Sequence, residues 1–274
     1  MPDEPLRLLI IGAHPDDADY SAGGTAALYR ELGHVVKMIS VTDGGAGHHV
    51  KAGPELVKRR RAEAAASGAV IGATYETWNN PDGALLPTLE TRAEVIRLIR
   101  KFKPDLVLTH RPNDYHPDHR YTSQLVQDAA YMVTVPAVVP DVPHLMRDPV
   151  ICYLPDDFQK PYALDPAVVV DVTSVVDKIV AMLDCHVSQF YEWLAYNQGY
   201  LEKLPADENG RREFLAGQVR ERLAKRADTY RDLLRKYYGR ARGGKIKYIE
   251  AFEACEYGAP FDAAARARLF PFVK

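Results

Sequence analysis

Short apolar runs alternate with amphipathic stretches through the first half of the chain. Residues 6–11 (LRLLII) make an apolar run of strand length, and 18–32 repeat apolar positions at helical spacing up to Gly33. Residues 35–41 read as a second strand, followed by the glycine-rich DGGAGHH of 43–49, a mobile loop. Pro54 opens a helix over 55–67, and 75–78 form a third strand. After the Pro81-Asp82-Gly83 turn a helix covers 89–102, and Lys103-Pro104 breaks it before a fourth strand at 105–109. A further helix runs over 119–132. This alternation predicts an α/β fold: a Rossmann-like, doubly wound, mostly parallel sheet with helices on both faces. In the strand order 3-2-1-4-5 the first and fourth strands are neighbours, and a crevice opens at their carboxyl ends.

The second half is less regular. Residues 133–149 place four prolines among valines, an extended segment that either covers the crevice as a lid or only connects. Strands are expected at 150–154 and 168–172, then one long helix over 174–196 capped by Thr173. A polar loop at 205–210 precedes a charged helix over 213–238. Nine Lys/Arg between 211 and 236 face four acids, which reads as a solvated helix face, with a basic docking surface as the lesser alternative. The expected division is an α/β catalytic core over 1–172 and a helical C-terminal addition over 173–274, packed together as one structural domain.

Composition narrows the class. The chain has 274 residues, 47% of them hydrophobic, enough for a sizeable core. Its net charge is 35 − 37 = −2, so no overall field favours nucleic acid or a membrane surface. No apolar run approaches the ~20 residues of a spanning helix, and the N-terminus lacks a signal-peptide pattern. Cys152, Cys185 and Cys255 stand far apart with no C-x-x-C pair, the pattern of reduced thiols in a cytoplasmic protein.

Two similarly spelled stretches carry the chemistry: Ala13-His14-Pro15-Asp16-Asp17 after the first strand and Asp114-Tyr115-His116-Pro117-Asp118-His119 after the fourth. In each, Pro and the acids after it suit the first turn of a helix. His14 and Asp17 are three apart and share a helical face. One histidine from the second loop then gives two imidazoles and a carboxylate with positions left for water. That set serves a hydrolytic zinc, and equally the facial site of a non-haem iron oxygenase. Asp16 is free to act as a base; of His116 and His119, one can ligate while the other faces substrate. Asp118, between them, can hold an imidazole in a chosen tautomer. A lone His-Pro-Asp is usually just a capped helix start, but two at neighbouring strand ends favour a metal. No G-x-G-x-x-G follows the first strand, which argues against a dinucleotide.

AHPDD, TDGGAGH, Arg60 with Glu63 in the next helix, and HPDH together resemble the LmbE-like (PIG-L) N-deacetylases, metal-dependent enzymes that remove acyl groups, usually acetyl, from amino sugars and their conjugates. DVTSVVDKIVAMLDCHVSQ and KYIEAFEACEYG look like the C-terminal portions of bacterial members, so the resemblance spans residues 6–258. It implies that His14, Asp17 and His119 ligate the metal, usually Zn2+, with Fe2+ or another divalent ion as alternatives. Asp16 matches the general base, and His116 the imidazole that steadies the oxyanion in its charged form, supported by Asp118. Arg60 falls where family members contact anionic or polar parts of the substrate; the plainer reading is an intrahelical pair with Glu63. Where some members place a mobile tyrosine two residues before HPDH, this chain has Asp114. The implied partner is a small N-acetylated sugar or conjugate, with no nucleic acid, no membrane span, and a homo-oligomer among the expected assemblies. A non-haem iron oxygenase and a metal-binding protein without catalysis are the competing classes. Asp16 and His116, neither needed as a ligand, argue against the second.

Overall fold

A computed structural model describes residues 4–273. Seven strands make one sheet in the order β3-β2-β1-β4-β5-β7-β6. Four of them, β1 (Arg7–Gly12), β2 (Val35–Thr42), β3 (Thr74–Asn80) and β4 (Leu106–Thr109), alternate with α1 (Asp17–Glu31), α2 (Pro54–Val70), α3 (Leu89–Phe102) and α4 (Pro117–Met132). β1 lies between β2 and β4 and is parallel to both, with Ile11 opposite Thr109. The expected order of the first five strands therefore stands, and the winding reverses between β1 and β4. Leu8 and Ile10 face one buried cluster, Leu9 and Ile11 the other, so the apolar run of β1 feeds cores on both faces of the sheet.

β5 (Val150–Tyr153) and β6 (Val168–Asp171) follow. The 174–196 stretch is not one helix. A short turn leads into α5 (Val176–Asp184), and after a break at Cys185–His186 the backbone winds as a π-helical turn, Ser188–Trp193, into α6 (Leu194–Asn197). Next come α7 (Glu208–Thr229), α8 (Arg231–Tyr238) and the single turn α9 (Arg240–Gly243). The C-terminal region is not purely helical: β7 (Ile249–Ala254) inserts antiparallel between β5 and β6, ahead of α10 (Ala263–Leu269).

Residues 133–149 form a connector. The guanidinium of Arg100, buried in α3, donates to six carbonyls of this neighbourhood, those of Met132, Val133, Val135, Val138, Val139 and Val142. Those bonds hold the segment against α3, and none of its residues lines the crevice.

Two buried carboxylates fasten α1. The helix breaks at Ala22, and Glu250 of β7 accepts from the N–H groups of Gly24 (2.7 Å) and Thr25 (2.8 Å) just beyond the break. Asp19 accepts from Ser67 of α2 and lies 2.6 Å from His186 Nε2, both wholly buried. Burial pushes the His186 imidazole down, but Asp19 outweighs it and leaves the pKa raised. A histidine with a raised folded pKa contributes stability that is fully present below its unfolded value near ~6.5 and is lost as pH rises through the folded one. Denaturant titrations across that window should show the loss. Asp19→Asn should cost about 3–5 kcal/mol and flatten the part of the pH dependence that His186 contributes; an unchanged profile would exclude the pair as a source.

Candidate active site

β1 ends at Gly12, where a Cβ would come within 2.6 Å of the Asp17 Cβ. Only glycine lets the chain fold back so tightly that Asp17 Oδ2 accepts from the His14 N–H at 2.7 Å. On the neighbouring strand, Pro117 takes the first turn of α4 and His116 the N-cap, its Nδ1 accepting from the Asp118 N–H at 3.2 Å. Both loops leave adjacent parallel strands at the reversal of winding, so they meet across 105 residues of sequence.

His14 Nδ1 lies 3.2 Å from His119 Nε2 and 3.4 Å from Asp17 Oδ2, and His119 Nε2 lies 3.5 Å from Asp17 Oδ1. Donors about 2.0–2.1 Å from one tetrahedral ion are separated by roughly 3.3–3.4 Å, close to these spacings, with Asp17 meeting the two rings through different oxygens. Single donor atoms also converge in His14 with His116 and His119, in Asp17 with His110 and His119, and in His14 with Asp82 and Asp118, so the cluster offers a metal several overlapping sets. Each imidazole of the trio is backed by carboxylate at its other nitrogen. His14 Nε2 is 3.2 Å from Asp82 and 3.3 Å from Asp118, and His119 Nδ1 is 3.1 Å from Asp114. Carboxylates behind both rings are the usual outer support of metal-binding histidines. His110 completes the floor, stacked on His119 with its Nε2 3.2 Å from Asp17.

The electrostatics follow from five aspartates around four imidazoles. Burial lowers the His14 pKa, but Asp118, Asp17 and Asp82 together hold it well above the ordinary value. Asp82 is drawn down to about 2, where its bond to His14 overcomes burial. Burial likewise raises Asp17, but His119 and His110 overcome it and keep the carboxyl well below its usual range. Asp16 differs: burial dominates and its pKa is raised, with Arg60 only partly offsetting.

Three sequence expectations change here. The Asp118 carboxylate bonds His14, not His116, on which it acts only through its charge, and it accepts from the N–H groups of Gly83 (2.8 Å) and Leu85 (3.3 Å). His116 accepts at Nδ1, so its proton sits on Nε2. Burial, then His14 and His119, lower its pKa, which makes a neutral ring the resting form rather than a charged one. Arg60 does not pair with Glu63; it lines the hollow and is tied to acids of the first loop and the turn after β3. Only 2% exposed, its guanidinium lies 3.2 Å from Asp16 and 3.7 Å from Asp82 and donates to the Gly44 carbonyl. Gly44, at φ +70°, leaves room for it; a side chain there would meet Arg60 within 3 Å. Glu63 bonds Arg59 and Ser188 instead.

The glycine-rich loop is pinned. Asp82 accepts from the Ala46 and Gly47 N–H groups, Gln189 donates to the Gly47 carbonyl, and His48 lies 2.8 Å from Glu192. Asp82, Asp114 and His110 escaped the sequence reading. Asp82 sits in a Pro-Asp-Gly triplet whose turn chemistry hides any second use, and Asp114 was noticed only as the absence of a tyrosine.

These groups line one hollow of about 600 Å³ that reaches from His14 past Tyr115 and Trp193 to α7. Among the described residues, no helix is long and apolar enough to cross a membrane.

Residues 9–130 match the family model described as PIG-L: GlcNAc-PI de-N-acetylase. Over 196 residues the chain is 30% identical to the diacetylchitobiose deacetylase of Thermococcus kodakarensis, spanning 68% of this chain and 71% of that protein. It is 26% identical over 203 residues to the 4-oxalmesaconate hydratase of Pseudomonas putida, spanning 71% and 78% respectively. Among solved structures, the N,N'-diacetylchitobiose deacetylase of Pyrococcus horikoshii superimposes with a TM-score of 0.70 at 22% identity, covering 92% of this chain and 84% of that one. At such identity this likeness speaks for the fold alone.

Proposed function

We propose, from the premise that this chain belongs to the PIG-L (GlcNAc-PI de-N-acetylase) family, that it is a zinc-dependent amidohydrolase removing the acetyl group from an N-acetylated amino sugar or its conjugate. The observation that carries the reading is the trio His14, Asp17 and His119, the two ring nitrogens 3.2 Å apart and each within 3.5 Å of one oxygen of the Asp17 carboxylate, with Asp16 beside it in the same hollow. A zinc ion held by those three side chains would supply Lewis acidity, acidifying a water and polarising the amide carbonyl.

The remaining roles belong to the chain. Asp16, its pKa raised by burial, takes the proton of the attacking water and carries it toward the departing nitrogen. Arg60 is a positioning residue: its contact fixes the Asp16 carboxylate and keeps its pKa from rising further. His116 offers its Nε2–H to the oxyanion that develops on the carbonyl oxygen. Asp114 and Asp118 hold the rings of His119 and His14.

His116→Ala is expected to lower kcat by about 10²–10³, the loss of one oxyanion donor. Because the neutral ring is already the donor, raising the pH should not remove its contribution. An alkaline limb in kcat/KM that disappears in the variant would restore the charged form.

Acetate release from a panel of N-acetylated sugars and conjugates tests the function itself. The similarity to a hydratase favours one second reading, addition of water to an unsaturated acid at the same donors. Loss of alkene absorbance from such an acid, with no acetate from any sugar, would establish that alternative.

A further inference from the structure

The hollow does not end at the histidines. Its far wall is the face of α7 that carries Arg222 and Arg226, and past them it continues into a second hollow of about 560 Å³. Tyr20, Phe190 and both arginines line the two hollows together. The arginines are one helical turn apart, so their guanidinium groups approach each other. Among the described residues neither makes an ion pair with a carboxylate.

Arg222 donates to the Tyr20 carbonyl at 2.6 Å and lies over the Tyr20 ring, 3.6 Å from its centroid. Its Nη2 has no partner, and neither does Arg226 Nη1, although both atoms are sealed from solvent. Neighbouring acids are engaged elsewhere: Asp156 with Arg111 at 2.7 Å, Glu250 with Gly24 and Thr25. Asp157 lies near enough to favour the Arg226 charge, but it is exposed on its loop. Two adjacent like charges, each with a sealed N–H that has no acceptor, are unfavourable, and an arriving anion relieves both costs. Guanidinium forks suit a carboxylate or phosphate better than any neutral group.

We propose that Arg222 and Arg226 form a subsite for an anionic substituent, a carboxylate or a phosphate, on the part of the substrate remote from the scissile amide. This rests on the deacetylase reading and narrows it: the substrate is an N-acetylated amino sugar joined to an acid. The sugar lies between the two ends, against Tyr20 and Phe190, whose stacked rings form an aromatic wall.

The test separates binding from turnover. Calorimetry compares three already deacetylated glucosamine derivatives: the methyl glycoside, the carboxymethyl glycoside and the 1-phosphate. The native protein should bind one or both anionic compounds about 10–100-fold more tightly than the methyl glycoside, a preference that shrinks with added salt. Whichever anion gains more identifies the source of the charge. Arg226→Gln should reduce the preference to near unity, and Arg226→Lys, which keeps the charge, should retain part of it. Arg222→Gln should act in the same direction, though it also loosens packing on Tyr20. Equal binding of all three by the native protein, or an undiminished preference in a folded Arg226→Gln protein, overturns the subsite. Acetate release from the corresponding N-acetyl compounds is scored apart. If none releases acetate while the binding preference holds, the deacetylase reading falls and the anion subsite stands.

Discussion

Asp16→Asn should lower kcat by about 10²–10⁴ while metal content and melting temperature stay near native. The two acids that end the first motif are adjacent in sequence but differ in surroundings. Asp17 faces His14, His110 and His119 and accepts a backbone N–H, an environment that keeps it ionised and suits it to the proposed role of ligand. Asp16 faces Arg60 and the hollow, and burial raises its pKa toward the range where a carboxylate can both take and return a proton. Asparagine preserves shape and can still accept from Arg60, so the variant removes proton transfer with little else. A variant that keeps most of its kcat would disqualify Asp16 as the base. One that loses its metal would make Asp16 a ligand.

Removing the metal should have an effect at least as large. Elemental analysis should find about one zinc or other divalent ion per chain. Stripping it with a chelator should abolish turnover and lower the melting temperature, because five aspartates then share the pocket without the cation that balances them. The double variant His14→Ala, Asp17→Ala deletes two of three donors and should bind no ion at that place. Full occupancy in this variant would exclude the trio. Zinc restored to the stripped native protein should return activity, which separates loss of metal from irreversible unfolding.

Much of this was written in the sequence because strand order can be argued from alternation alone. Once β1 and β4 are neighbours, both His-Pro-Asp loops must open on one crevice, and the meeting of His14, Asp17 and His119 follows. What failed to show depended on contacts with no local signature. β7 carries Glu250 and Glu253 among apolar residues, so it reads as a poor strand until β5 and β6 are in place to cover it. The break between α5 and the π-helical turn lies in a stretch whose apolar spacing suits one continuous helix. The partner of Arg60 was likewise hidden. Glu63 is one turn away, whereas Asp16 is 44 residues distant and meets it only because α2 packs beside the first loop.

Glu250 also bears on when the protein becomes finished. It reaches back 226 residues to Gly24, on the helix that begins at Asp17. While the ribosome is still working, every proposed metal donor has been made by residue 119, yet the amides beyond the break in α1 have no acceptor until β7 emerges. β5 and β6 meanwhile each lack a neighbour, leaving backbone open to pairing with other chains. A nascent chain therefore carries its ligands long before it has the frame that aims them. Ending synthesis shortly before Ile249 should yield an aggregation-prone product rather than a smaller working enzyme.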